Sequence, residues 1–280
     1  MGRDIMSITD VNFYFGRLNL IATYTDKHQF LLRTLKRDIE ITKRDFEWGF
    51  FNVKDIIFNN TPFITGYLVK YKFLKEEDIV DEKNRLLTTT SISNRAVAAS
   101  PFFLHPKTGI LAFHPIAFNI GHNQFRHVFA ELIMAANDFL MVDAEIQFID
   151  EEVEIFKAIK SFDKITALII DLHPSNPSNR ERWKTTDERL QKMKAEKYRQ
   201  QYSSKNGLKI DEDDEAFGDI LMAGDGYGKA DLYGEKDGRQ HQASTERIPI
   251  KTKGVKSPDF NTSIGSVINK FKEIWNRMSD

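Results

Sequence analysis

Apolar and polar positions divide this chain into strand-like and helix-like stretches. Residues 11–25 are aromatic and β-branched and predict a strand, while Phe30, Leu31, Leu32 and Leu35 are spaced for a short helix. Residues 46–59 and 63–73 predict two more strands. In the second, Ile64, Gly66, Leu68, Lys70 and Lys72 alternate with Thr65, Tyr67, Val69 and Tyr71, which predicts one well-covered face and one mixed face. Residues 96–104 and 110–115 flank His105-Pro106-Lys107-Thr108-Gly109, a hairpin turn. Phe125, Val128, Phe129, Leu132, Ile133, Ala136 and Phe139 fall on one helical face. A strand over 143–149, a helix over 151–162 and a buried strand over 165–172 follow. The turn HPSNPSN then leads into a basic stretch, 180–201, that reads as helix, with Ser178 or Asn179 as its cap. Strands over 229–233 and 247–253 and a terminal amphipathic helix complete the pattern.

This order predicts an α+β fold. A split-βαβ, ferredoxin-like core is expected, both of its helices packed on one sheet face. Three regions are expected. Residues 1–84 form a β-rich N-terminal part, ending in a charged connector. Residues 85–205 form an α+β sandwich ending in the basic helix. Residues 206–280 carry an acidic linker, a glycine-rich hairpin and the terminal helix. On that helix Val267, Phe271, Ile274 and Trp275 should be buried, either on the same chain or across a homodimer.

Charge changes the picture locally, not globally. The net charge is −1, so nothing in the overall balance calls for nucleic acid. Residues 180–205, however, hold nine Lys/Arg against four Asp/Glu, whereas residues 211–225 hold seven acids and no base. There are no cysteines, which excludes disulfides, thiolate metal sites and a cysteine nucleophile and fits a cytoplasmic protein. The first residues lack a signal-peptide pattern, and no stretch approaches the roughly 20 apolar residues of a membrane span.

No motif of high specificity for catalysis or metal is present. His122 and His127 are five apart and share no helical face; His105 and His114 flank the hairpin. The run Gly224-Asp225-Gly226-Tyr227-Gly228 superficially resembles a phosphate loop but lacks the GK[ST] ending, and its acid would repel phosphate, so it reads as a flexible turn. The basic stretch supports nucleic-acid binding, DNA before RNA. Arg180, Arg182, Lys184, Arg189, Lys192 and Lys197 would contact phosphates, Trp183 would pack or stack, and Lys251 and Lys253 would add a second basic element. The competing reading is a metal-dependent nuclease or other hydrolase. Its core would be Asp171 and His173, two apart at a strand end, with help from Asp143 or Glu145, and its cofactor Mg²⁺, Mn²⁺ or Zn²⁺; the first reading needs none. A third reading is a scaffold subunit that meets a partner through the terminal helix.

The motifs LIIDLHPSNPSNRERW and GDGYGKADLYG resemble those of a bacterial family found near mobile elements and phage-defence genes. In length and order of elements alone, the chain is also similar to the RexA-type exclusion proteins of temperate phages. That resemblance implies DNA binding, dimerisation and a place in phage exclusion. It transfers no functional residue, because no motif is shared.

Overall fold

A computed structural model describes residues 8–72, 77–81, 85–90, 95–137, 141–175, 180–247 and 249–277. The chain is α+β, and every described strand pairing is antiparallel. The larger sheet is built mainly from the first half of the chain: β1 (Thr9–Ile21), β2 (Glu40–Lys43), β3 (Phe46–Phe58), β4 (Thr61–Lys72), β7 (Arg95–Leu104) and β8 (Ile110–Phe113). Two later strands join it, β9 (Asp143–Phe148) and β14 (Lys251–Lys256), to give the order β14-β1-β8-β7-β4-β3-β2, with β9 also on β1. The strands β14 and β9 meet β1 along its first and second halves. A separate hairpin, β5 (Glu77–Asp81) with β6 (Leu86–Thr90), lies between β4 and β7.

Helices cover both faces of the large sheet. On one side α1 (Lys27–Leu35) and α2 (His122–Ala136) pack Leu31, Phe125, Phe129 and Ile133 against Ile64, Leu68, Phe102 and Phe113. Asp26 caps α1 by accepting the Gln29 N–H at 3.1 Å. On the other side α6 (Phe260–Arg277) lays Phe260, Ile264, Val267, Phe271 and Ile274 on Phe13, Phe15, Phe63 and Tyr67. The Phe271 ring meets Phe15 and Phe63 edge-on, with centroids 5.2 and 5.1 Å apart. Tyr67, Val69 and Tyr71 are buried on this side and Ile64 and Leu68 on the other, so both faces of the strand meet a core. The apolar stripe of α6 is buried within its own chain: Val267, Phe271 and Ile274 are each 1% exposed, and Trp275 is half-buried.

The smaller sheet has the order β11-β10-β12-β13: β10 (Lys164–Leu172), β11 (Tyr198–Leu208), β12 (Gly228–Lys236) and β13 (Arg239–Ser244). One face buries Leu168, Ile170, Leu172 and Leu232 beneath Trp183, Leu190, Phe217 and Leu221. These come from α4 (Lys184–Met193), the single 3₁₀ turn before it and α5 (Glu215–Met222), with α3 (Glu152–Lys160) alongside.

The ferredoxin-like expectation is not met. A split βαβ unit keeps both of its strands in one sheet, with an antiparallel neighbour between them. The expected helix-strand-helix-strand run is divided, because β9 joins the large sheet while β10 is central in the small one. Nor do the sheets divide at residue 84, since β4 and β7 pair across it. The basic helix is also shorter than expected. It stops where Lys194 turns left-handed at φ 54°, and residues 198–208 form β11. Along β11 the inward positions are Tyr198, Gln200 and Tyr202, polar enough to disguise a strand. Phe139, expected on α2, lies outside the described residues, as do Ser178 and Asn179.

Candidate functional site

Two clusters of opposed charge tie the sheets together, and they differ in kind. The first is centred on the glycine-rich run. Residues 223–227 make one wide π-type turn between α5 and β12, in which Asp225 is 1% exposed. Its Oδ2 accepts from Arg180 Nη1 at 2.7 Å and Trp183 Nε1 at 2.9 Å, and Oδ1 is paired with Arg277 Nη2 at 2.9 Å. Arg17 Nε donates to the Asp225 carbonyl at 2.9 Å, and its guanidinium lies 4.0 Å from the Tyr227 ring centroid. Arg180 also reaches Glu152 at 2.6 Å. The turn needs its glycines: a side chain on Gly224 would begin 2.3 Å from Ile155 Cδ1, and Gly226 sits at φ +85°. Nearby Asp150 is buried with its carboxyl pushed well above the usual range by desolvation. This turn is a buried junction of β1, α6 and the start of α4, not a flexible loop.

The second cluster is open. The strand β9 pairs only with β1 among the described residues, and its other edge faces the ends of β10, β11 and β12 across a cleft. Three cavities, of about 320, 330 and 390 Å³, meet at Glu145 in this cleft. Glu145 is half-exposed, and the hydrogen bond from His173 Nε2 at 3.2 Å holds its carboxyl below the usual range. His173 Nδ1 faces the Glu196 carbonyl at 3.3 Å. Both ring nitrogens therefore meet oxygens. The Lys197 ammonium is held charged by Asp143, 3.0 Å away.

The sequence candidates are split between these places. Asp171 and His173 both line the 330 Å³ cavity but do not act as a pair, because β10 ends at Leu172 and His173 leaves the strand's alternation. Asp171 meets Arg199 Nε at 3.5 Å while His173 turns to Glu145. Among the described residues, no three of His, Asp and Glu are grouped to hold a metal ion. Of the expected phosphate contacts, Arg180 is buried in the junction, and Trp183 beside it is 2% exposed and cannot stack on a base. Arg182, Arg189, Lys192 and Lys197 are exposed and Lys184 half-buried along α4 and the approach to β11. Lys251 and Lys253 are exposed on the outer strand β14, a common defence of a sheet edge. Two functional-looking residues escaped the sequence reading: Gln147 and Lys229 line the cleft together with Arg199 of the basic stretch. Their signal is only visible once β9, β10 and β12 are known to be neighbours.

The sequence model of the DUF4747 family, described as a domain of unknown function, matches residues 11–274, and the chain belongs to that family. No curated protein matches the chain. No helix among the described residues is long and apolar enough to cross a membrane.

Proposed function

We propose that this DUF4747 protein binds nucleic acid through the basic rim of the cleft, without catalysing a reaction. The observation that supports this best is the fate of the nine cations between residues 180 and 205. Only Arg180 is consumed in the interior; Arg182, Arg189, Lys192, Lys194, Lys197, Arg199 and Lys205 are exposed and Lys184 half-buried. Of the four acids in the stretch, Asp187 is buried, where it accepts from the Ser175 N–H and hydroxyl at 2.6 Å. The accessible surface of this stretch therefore keeps eight cations against three acids, the same excess as its sequence. The ion pairs here, such as Arg189–Glu215 at 3.0 Å, are exposed and weak, so phosphate can replace the carboxylate. Lys192 and Lys194 have no ion pair among the described residues. DNA is the first partner to test and phage exclusion the first setting, both on the strength of the resemblance in length and order of elements to the RexA-type exclusion proteins.

Fluorescence anisotropy with a short labelled duplex tests the reading. Binding should weaken steeply between about 50 and about 200 mM salt, and K192E/K194E should weaken it by about tenfold or more with a shallower salt slope. Absence of binding by the wild-type chain at the lower salt would reject it.

One observation favours a second reading. Glu145 and His173, hydrogen-bonded to one another at the meeting point of three cavities, form an acid–base pair that could serve hydrolysis. Turnover of DNA or RNA with added Mg²⁺, Mn²⁺ or Zn²⁺, abolished by Glu145→Gln, would establish it; no turnover with any of them would dismiss it.

A further inference from the structure

We propose that the 330 Å³ cavity beside β9 is a pocket for one unpaired nucleotide, its base edge read by Gln147 and its phosphate held by Arg199 and Lys229. This rests on the nucleic-acid reading and gives it a mode of recognition. Gln147 lines the cavity yet is only 5% exposed, and its Oε1 is buried with no hydrogen-bond partner among the described residues. The orientation of the amide follows from its neighbour. Nε2 donates to Glu145 Oε1, and a carboxylate can only accept, so the carbonyl end must face elsewhere. A buried acceptor left open in this way calls for a donor. The exocyclic amines of adenine and cytosine supply one; uracil and thymine present a carbonyl at the same position.

The phosphate end follows from strand register. Asp171 on β10 is directly opposite Arg199 on β11 and Lys229 on β12, so a single carboxylate lies between two cations. Arg199 is lightly committed, to Asp171 at 3.5 Å with both side chains exposed, while Lys229 pairs with Asp231 at 2.9 Å and Glu246 at 3.9 Å. A phosphate can take over such pairs, Arg199 offering two parallel N–H groups. The volume suits a small ligand, at the lower end of the roughly 300–1,000 Å³ of small-molecule sites. The base must be unpaired, because a base still paired and stacked in a duplex cannot enter the pocket.

Calorimetry on the full chain with adenosine, cytidine and uridine 5′-monophosphates and ribose 5-phosphate tests this. The adenine or cytosine nucleotide should bind about tenfold more tightly than the uracil one, as expected for one buried hydrogen bond. Gln147→Leu should erase that preference while leaving ribose 5-phosphate binding unchanged, and Lys229→Met should weaken all four. Gln147→Met, which keeps the side chain's length without an amide, serves if the leucine variant fails to fold, and it too should erase the base preference. No saturable binding of any mononucleotide, or equal binding of all three bases, would overturn the pocket. Duplex binding without mononucleotide binding removes the pocket and leaves the basic rim; the reverse removes the rim and leaves the pocket.

Discussion

The Asp225 junction and the Glu145 cleft use the same chemistry for opposite ends. At the junction one carboxylate faces Arg180 and Arg277 with Trp183 alongside, all of them buried or nearly so. At the cleft Glu145 meets one imidazole at 3.2 Å, about half its side chain faces water, and the amide of Gln147 beside it is incompletely bonded. The junction is closed, although both Asp150 oxygens beside it have no hydrogen-bond partner among the described residues; the cleft is open and leaves an acceptor unused. Both hold residues that a sequence reading picks out as chemical. Burial, not residue type, separates the staple from the site.

Mutations should separate them too. Asp225→Ala strands buried guanidinium groups without a counter-charge and should cost about 5 kcal/mol, enough to prevent folding; urea denaturation or loss of soluble expression reads this out. Phe271→Ala empties the contact between α6 and the aromatic face of β1 and β4 and should cost about 4 kcal/mol by the same measurement. An effect below about 1 kcal/mol would show α6 to be only loosely docked.

An acid limb should come next in size. His105 lies between Phe63 and Trp275, and burial pushes its imidazole down to about 4. The unfolded chain binds a proton near pH 6.5 that the folded chain refuses until about 4. Stability should therefore fall as pH drops through that window, by roughly 3 kcal/mol at most. His105→Gln should flatten the fall in Tm between these pH values; an unaltered acid limb would place its origin elsewhere. Glu145→Gln should cost less than about 1 kcal/mol, because its partner is reached across a half-exposed cleft. A large loss there would make the cleft a second staple and erase the distinction.

How much of this the sequence carried depends on periodicity. The helix α2, the hairpin of β7 and β8, and α6 were legible because Phe125, Phe129 and Ile133, or Val267, Phe271 and Ile274, repeat with one clear period. The strand β11 was not, because Tyr198, Gln200 and Tyr202 face inward and a run of Lys, Arg, Glu and Gln reads as helix. Sheet membership was illegible for a different reason: β9 and β14 reach β1 from more than 100 residues away, and local patterning carries no information about such pairing. The cleft was half visible. His173 stood out at a strand end, but its partner Glu145 lies 28 residues earlier on the other sheet. Asp225 was misjudged because a glycine-rich run usually marks a surface turn, whereas here the glycines let the chain pass close to Ile155 and Arg17.

Hydrogen exchange of the full chain, with and without a saturating single-stranded oligonucleotide, tests the contrast most directly. The account predicts new protection in 143–148, 171–175 and 197–200, and none in 223–227, where the junction is already closed. Protection confined to the junction or to α6, or none anywhere, would contradict it.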